Sequence, residues 1–154
     1  MSELEKKTGM YELFQLGTAA IPYLVEEIDR GDIVPNLLQS PLGSIVTENH
    51  TQICTGAYAA YVIEMILALD QIDKTSFFTN AFFFGSELKN YLFLDGFIVY
   101  ENNECVSKNK KEMKRIAQIY REWWEQNSSK SLPQLKAEWK QGRTPLSGSG
   151  YQWK

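Results

Sequence analysis

The segment over residues 51–72 most limits the possible folds, because it forms a helix that is apolar around most of its circumference. Such a helix is stable only when other elements bury it from several sides. Glu64 interrupts the stripe, and we expect its carboxylate to reach solvent at the stripe's edge because carboxylates are rarely buried. The sequence therefore predicts a central helix enclosed by others. Its apolar positions are Ile53, Ala57, Tyr58, Tyr61, Val62, Met65, Ile66 and Leu69.

Two helices are predicted before this segment. The first opens near Ser2 and ends at Gly17, because glycine commonly stops a helix. The second has Thr18 as its N-cap and ends at Gly31. Pro22 lies in its first turn, where backbone N–H groups still have few intrahelical partners, so the missing donor costs little.

Two more helices and one hairpin are predicted in the second half of the chain. Amphipathic patterns predict helices over 108–126 and over 131–141. The dipeptide Asp95-Gly96 joins two β-prone runs, "YLFL" and "FIVYEN", which is typical of a two-residue hairpin turn. The fold class is therefore mainly α, either a helical bundle or antiparallel helix pairs, with one small β-hairpin near residues 91–101.

The stretch "LGTAAIPYLVEEI" resembles the second helix of a HEAT-type repeat. The resemblance extends over about residues 11–31, and no second clear copy follows at a period of roughly 40 residues, as an array would show. It therefore implies helices packed as antiparallel pairs and a surface that binds proteins, without implying a HEAT array. The matching residues are Leu16, Gly17, Ala20, Ile21, Pro22, Leu24 and Ile28.

The length of 154 residues predicts a single helical domain over residues 1–154. The tail over 143–154 is rich in Gly and Ser but carries Tyr151 and Trp153, so we expect it to fold back onto the body. The N-terminus shows no apolar signal-peptide region, which makes a cytoplasmic location the default. A periplasmic or secreted location stays open if a signal peptide was removed. No apolar run is long enough to predict a membrane span.

Charge is divided unevenly along the chain and suggests a class of partner. Residues 1–77 contain four Lys/Arg and eleven Asp/Glu, a net charge of −7, whereas residues 78–154 carry +4. An acidic half argues against nucleic-acid binding and favours a basic protein partner. We take the long connection over 31–49 as part of the binding surface, because long loops are often functional. The candidate partner-binding residues are Glu26, Glu27, Asp29, Asp32, Glu48 and His50.

The aromatic residues of the C-terminal half support an alternative interpretation. They could form a stacking platform for a carbohydrate or another small ligand, although aromatic residues at helical spacing more often pack in a core. The candidate ligand-binding residues are Trp123, Trp124, Trp139, Tyr151 and Trp153.

Catalytic signatures are absent from the sequence. A third interpretation, a small hydrolase, would use His50 with Glu48 and Cys54, but it lacks a sequence-local group to orient the base. Cys54 and Cys105 have too few companions for a zinc site, so no metal and no cofactor are predicted. The sequence thus predicts a non-catalytic protein-binding module, such as a small bacterial immunity protein that neutralises its partner, and leaves the oligomeric state open.

Overall fold

A computed structural model describes residues 3–35, 52–71, 96–101 and 104–154. Helices dominate these residues and two small antiparallel sheets accompany them, which confirms the predicted fold class. The elements in chain order are α1 (Glu3–Leu16), a 3₁₀ turn (Gly17–Ala20), α2 (Ile21–Glu27), β1 (Ile33–Pro35), β2 (Gln52–Cys54), α3 (Gly56–Ala68), β3 (Ile98–Tyr100), β4 (Glu104–Cys105), α4 (Lys110–Asn127), α5 (Leu132–Lys140) and β5 (Tyr151–Trp153).

Helix α3 is the centre of the fold, as its apolar pattern predicts. It contacts α1, α2, α4 and α5, and nearly all of its side chains are buried. The predicted start at residue 51 is wrong, because residues 52–54 form strand β2 and the helix begins at Gly56. Strand β2 pairs with β1, and Thr55 donates from its backbone N–H and its hydroxyl to the Asp32 carbonyl. These long-range bonds hold the segment extended despite its helical apolar spacing.

The junction between α1 and α2 confirms one predicted boundary and corrects another. Gly17 has a φ of +61°, a left-handed conformation that ends α1 where expected. Thr18 is not an N-cap, because it lies inside the 3₁₀ turn, and α2 begins at Ile21 after Ala20, which has no side-chain cap. Pro22 lies in the first turn of α2, as predicted.

A second sheet joins the C-terminal segment to the middle of the chain. Its order is β4-β3-β5, so β3 has a neighbour on each edge. A small hairpin is present, as the fold class predicts, but its position is different: β3 pairs with β4 across a turn after Tyr100, and both edges of β3 are occupied without residues 91–94. Residues 91–95, assigned to the first strand and turn of the predicted hairpin, lie outside the described residues. On the other edge Ile98 pairs with Trp153, and the side chains of Tyr151 and Trp153 are buried. The C-terminal segment therefore packs against the body of the protein.

Both C-terminal helices have side-chain caps. Asn109 accepts from the backbone N–H groups of Lys111 and Glu112, so α4 begins at Lys110, two residues later than predicted. Ser131 caps α5 as predicted by accepting from Gln134. These caps fix the direction of the two helices that flank the site described below.

Buried Ser107 links the two sheets, and we expect its replacement by alanine to destabilise the protein by about 1–3 kcal/mol. The Ser107 carbonyl accepts from Cys54 in β2, and its Oγ accepts from the backbone N–H of Ile98 at 3.1 Å. Ser107→Ala leaves that N–H without its partner. Urea denaturation measures the loss, and Ser129→Ala, at an exposed serine, is the control. Equal free energies of unfolding in the two variants would contradict the prediction.

Candidate functional site

The acidic residues predicted to bind a partner are divided between two places. Glu26 on α2 and Asp29 in the turn that follows both reach Arg121 of α4, with N–O distances of 3.4 and 3.6 Å. Asp32 instead lies 3.7 Å from Lys110, and 93% of its side chain is exposed. Surface ion pairs of this kind contribute about 0–1 kcal/mol each, so they can exchange with the charges of a partner. Glu48 and His50 lie outside the described residues.

An apolar groove lies between α1, α2 and α3, and Glu27 is the candidate acidic residue that lines it among the described residues. Its volume is about 430 Å³. Tyr23 stands at its rim with 58% of its surface exposed, next to the ion pair between Glu27 and Arg30 at 3.3 Å. A groove of this size can receive one or two apolar side chains of another molecule. Its apolar lining residues include Met10, Leu13, Leu24, Tyr58, Ala59 and Val62.

Glu64 is buried, which corrects the expectation that it reaches solvent. Only 2% of its surface is exposed. Its Oε1 accepts from Trp139 Nε1 at 3.1 Å, and its Oε2 accepts from the Tyr120 hydroxyl at 3.0 Å. The carboxyl group therefore joins α3 to α4 and α5 and lies at the centre of the helix packing.

The hydrogen bonds continue from this carboxyl group to the C-terminal strand. Trp153 Nε1 donates to the Tyr120 hydroxyl oxygen at 3.0 Å, while that hydroxyl donates to Glu64. The Trp153 ring also meets the Tyr61 ring edge to face, with a centroid separation of 5.3 Å. Side chains from α3, α4, α5 and β5 thus form one network, which we call the Glu64 network: Glu64, Tyr120, Trp139 and Trp153.

Burial changes the acidity of both titratable members of the network. Removal from water raises the pKa of Glu64 from 4.5 to about 7, and the hydrogen bonds from Trp139 and Tyr120 only partly offset this rise. Burial and the neighbouring Glu64 carboxylate raise the pKa of Tyr120 well above its usual value. Near neutral pH the Glu64 carboxyl group therefore exists in both protonation states, whereas the Tyr120 hydroxyl keeps its proton.

A cleft of about 470 Å³ opens beside the Glu64 network. Glu64, Trp139 and Trp153 line one part of it, and the Gly/Ser-rich segment 142–150 lines another. Local hydrogen bonds order that segment. The Ser147 hydroxyl accepts from the backbone N–H of Thr144 and donates to the Gly142 carbonyl, both at 2.7 Å. The cleft therefore has defined walls on both sides and a buried acid among its lining groups.

The structure divides the predicted aromatic cluster. Trp139, Tyr151 and Trp153 all line the Glu64 cleft. Trp123 and Trp124 lie elsewhere on α4, half-buried, with ring centroids 5.8 Å apart, and neither lines this cleft. The sequence interpretation placed Glu64 at the solvent edge of its helix and did not include it among the candidate site residues. The sequence did contain an indication that Glu64 is buried, because a helix that is apolar on all sides leaves no solvent-facing position for a carboxylate.

The two cysteines and the groups that could bind a metal ion were also considered in the sequence. Cys54 is a buried free thiol and Cys105 a half-buried one. Within the described ranges, no three His, Cys, Asp or Glu side chains are grouped so that they could hold a metal ion. Across those same ranges, no helix has the length and apolar character needed to cross a membrane.

The fold is thus a mainly helical one in which a C-terminal strand closes a cleft against a buried acid. The chain belongs to the family described as a domain of unknown function, DUF4943, whose model matches residues 3–154. No curated protein and no solved structure shows detectable similarity to the chain.

Proposed function

We propose that this protein is a non-catalytic protein-binding module that uses the groove between α1, α2 and α3. The observation that carries the proposal is Tyr23, a large aromatic residue that is 58% exposed at the rim of an apolar groove. Tyrosine is among the residues most enriched at the energetic centres of protein interfaces. Its exposed ring beside an apolar groove is a feature expected of an anchor for a partner.

Charge defines the partner that fits this surface. Helix α2 and the following turn carry Glu26, Glu27, Asp29 and Asp32 against a single cation, Arg30. The pairs that Glu26, Asp29 and Asp32 make with Arg121 and Lys110 are 3.4–3.7 Å long, and the pairs of Glu26 and Asp32 each include an exposed side chain. A partner with an apolar side chain for the groove and Lys or Arg beside it would replace these weak pairs with its own.

Two further considerations favour this type of partner. The resemblance of residues 11–31 to a HEAT-type helix implies a protein-binding surface. The net charge of −7 over residues 1–77 also matches a basic protein. We therefore include among the proposed roles that of an immunity-type protein, which covers a basic partner and so neutralises it.

We expect Tyr23→Lys to abolish capture of the partner. The substitution removes the aromatic anchor and adds a cation to a surface proposed to meet cations, so the loss should be at least about 30-fold in affinity. The tagged wild-type chain and the variant are each incubated with lysate of the source organism. Retained proteins are then compared by quantitative mass spectrometry at low and high salt.

Tyr100→Lys is the matched control, because Tyr100 is an exposed tyrosine on β3 that does not line the groove. The proposal requires a basic protein that the wild type and Tyr100→Lys retain, that Tyr23→Lys loses, and that high salt releases. Identical sets of retained proteins for wild type and Tyr23→Lys, with both variants folded by circular dichroism, would reject the groove as the binding surface.

A further inference from the structure

The Glu64 carboxyl group has no cationic partner in the described part of the chain. Its hydrogen-bond donors, Trp139 and Tyr120, are both neutral. Among the described residues that line the cleft, Glu64 is the only one with a charged side chain. A buried carboxylate without a countercharge is costly, because its own ionised form is poorly solvated.

Cations on and around α5 interact with other carboxylates. On α5, Lys136 binds Asp70 at 3.1 Å. Lys140, also on α5, helps to lower the pKa of Asp70. Lys130 and Arg143 both approach Glu138, at 2.8 and 3.8 Å. The fold therefore leaves the charge of Glu64 uncompensated on the side that faces the cleft.

The other lining groups of the cleft suit a particular kind of cation. Three aromatic residues line it, of which Trp139 is half-buried and Tyr151 and Trp153 are buried. Aromatic surfaces attract weakly hydrated cations, and a group of aromatic side chains with a carboxylate is the usual way in which proteins bind methylated ammonium groups. A cleft of about 470 Å³ lies within the range typical of small-ligand sites.

We propose that the cleft beside Glu64 binds a small organic cation, a methylated ammonium group, which the aromatic walls contact and the Glu64 carboxylate neutralises. This site is separate from the α1–α2–α3 groove and does not depend on the protein-binding proposal. An anionic ligand is disfavoured by Glu64. A bare divalent metal ion is also disfavoured, because such ions bind several oxygen ligands and the lining residues supply one carboxylate.

Binding of a cation at this site is linked to the protonation of Glu64. Tyr120 from α4 and Trp139 from α5 donate directly to this carboxyl group, and Trp153 donates to the Tyr120 hydroxyl. None of these three groups carries a charge near neutral pH. Because the pKa of Glu64 is about 7, its ionised fraction rises about tenfold from pH 6 to pH 8. A cation that requires the ionised form should bind about tenfold more tightly at pH 8.

The test compares choline with its neutral isostere, 3,3-dimethylbutan-1-ol, by isothermal titration calorimetry on the full wild-type chain. We expect choline to bind, with an affinity that increases about tenfold from pH 6 to pH 8, and the isostere to bind at least about tenfold more weakly. A peptide that carries trimethyllysine distinguishes the source of the cation. Tighter binding of this peptide would assign the site to a modified protein, and tighter binding of choline to a free molecule.

Glu64→Gln keeps the shape of the side chain and removes the charge, so it should abolish both choline binding and its pH dependence. The wild-type measurements decide the proposal even if this variant does not fold. The proposal is rejected if choline does not bind at tens of millimolar, or if the isostere or a neutral sugar such as methyl glucoside binds as well as choline. Choline affinity that is the same at pH 6 and pH 8 would also reject it.

Discussion

Gly56→Ala is expected to cause one of the largest losses of stability available from a single methyl group in this protein. A Cβ placed on Gly56 would lie 1.7 Å from the Ile28 carbonyl oxygen and 2.8 Å from the Glu27 carbonyl oxygen. Both contacts are with backbone at the end of α2, which cannot move aside as a side chain can. The start of α3 must therefore separate from α2, and the Gly56 N–H would lose its 3.0 Å bond to the Arg30 carbonyl.

We expect Gly56→Ala to reduce the free energy of unfolding by roughly 3–5 kcal/mol, because overpacking and a lost hydrogen bond combine. Urea denaturation followed by circular dichroism measures the loss. Gly9→Ala is the matched control, since Gly9 lies within α1 and, apart from the adjoining part of that helix, no described residue comes within 4 Å of the added Cβ. That variant should gain about 0.5–1 kcal/mol from helix propensity. A loss under about 1 kcal/mol in Gly56→Ala would show that α2 and α3 are not in close contact there.

The features that the sequence predicted correctly depend on local chemistry. Gly17 ends α1 and Ser131 caps α5, because a glycine or a hydroxyl side chain satisfies helix termini from within a few residues. The central position of α3 followed from its apolar circumference, which is a property of one continuous segment. These signals need no knowledge of what lies across the fold.

The features that the sequence did not predict depend on distant partners. Ile53 continues the helical apolar spacing of the residues that follow it, but pairing of residues 52–54 with residues 33–35 makes this segment a strand. Glu64 is held by Trp139, which is 75 positions later, and by Tyr120, which is 56 positions later. The aromatic prediction identified Trp139, Tyr151 and Trp153 but could not separate them from Trp123 and Trp124, because no local pattern shows which aromatic residues share a cleft.

The contribution of Glu64 to stability should fall as pH rises from about 4.5 to about 7, because Glu64 binds its proton more tightly in the folded state. Burial raises its pKa from 4.5 to about 7 in the fold. Below pH 4.5 both folded and unfolded chains are protonated at this residue, and the contribution is fully present. Between pH 4.5 and 7 only the unfolded chain ionises, so stability is lost, up to about 3 kcal/mol by pH 8.

Glu64→Gln separates this contribution from that of every other titrating group. The amide cannot ionise, and its oxygen can still accept a hydrogen bond from Trp139. In that orientation the amide nitrogen faces Tyr120. We expect the difference in unfolding free energy between variant and wild type to shift by about 3 kcal/mol in favour of the variant from pH 4 to pH 8. Urea denaturation at four or five pH values measures it, with Glu125→Gln on the exposed side of α4 as the control for loss of one negative charge. A constant difference between Glu64→Gln and wild type across this range would mean that the carboxyl group stays ionised in the fold. The aromatic cleft would then have to solvate a full charge without a partner.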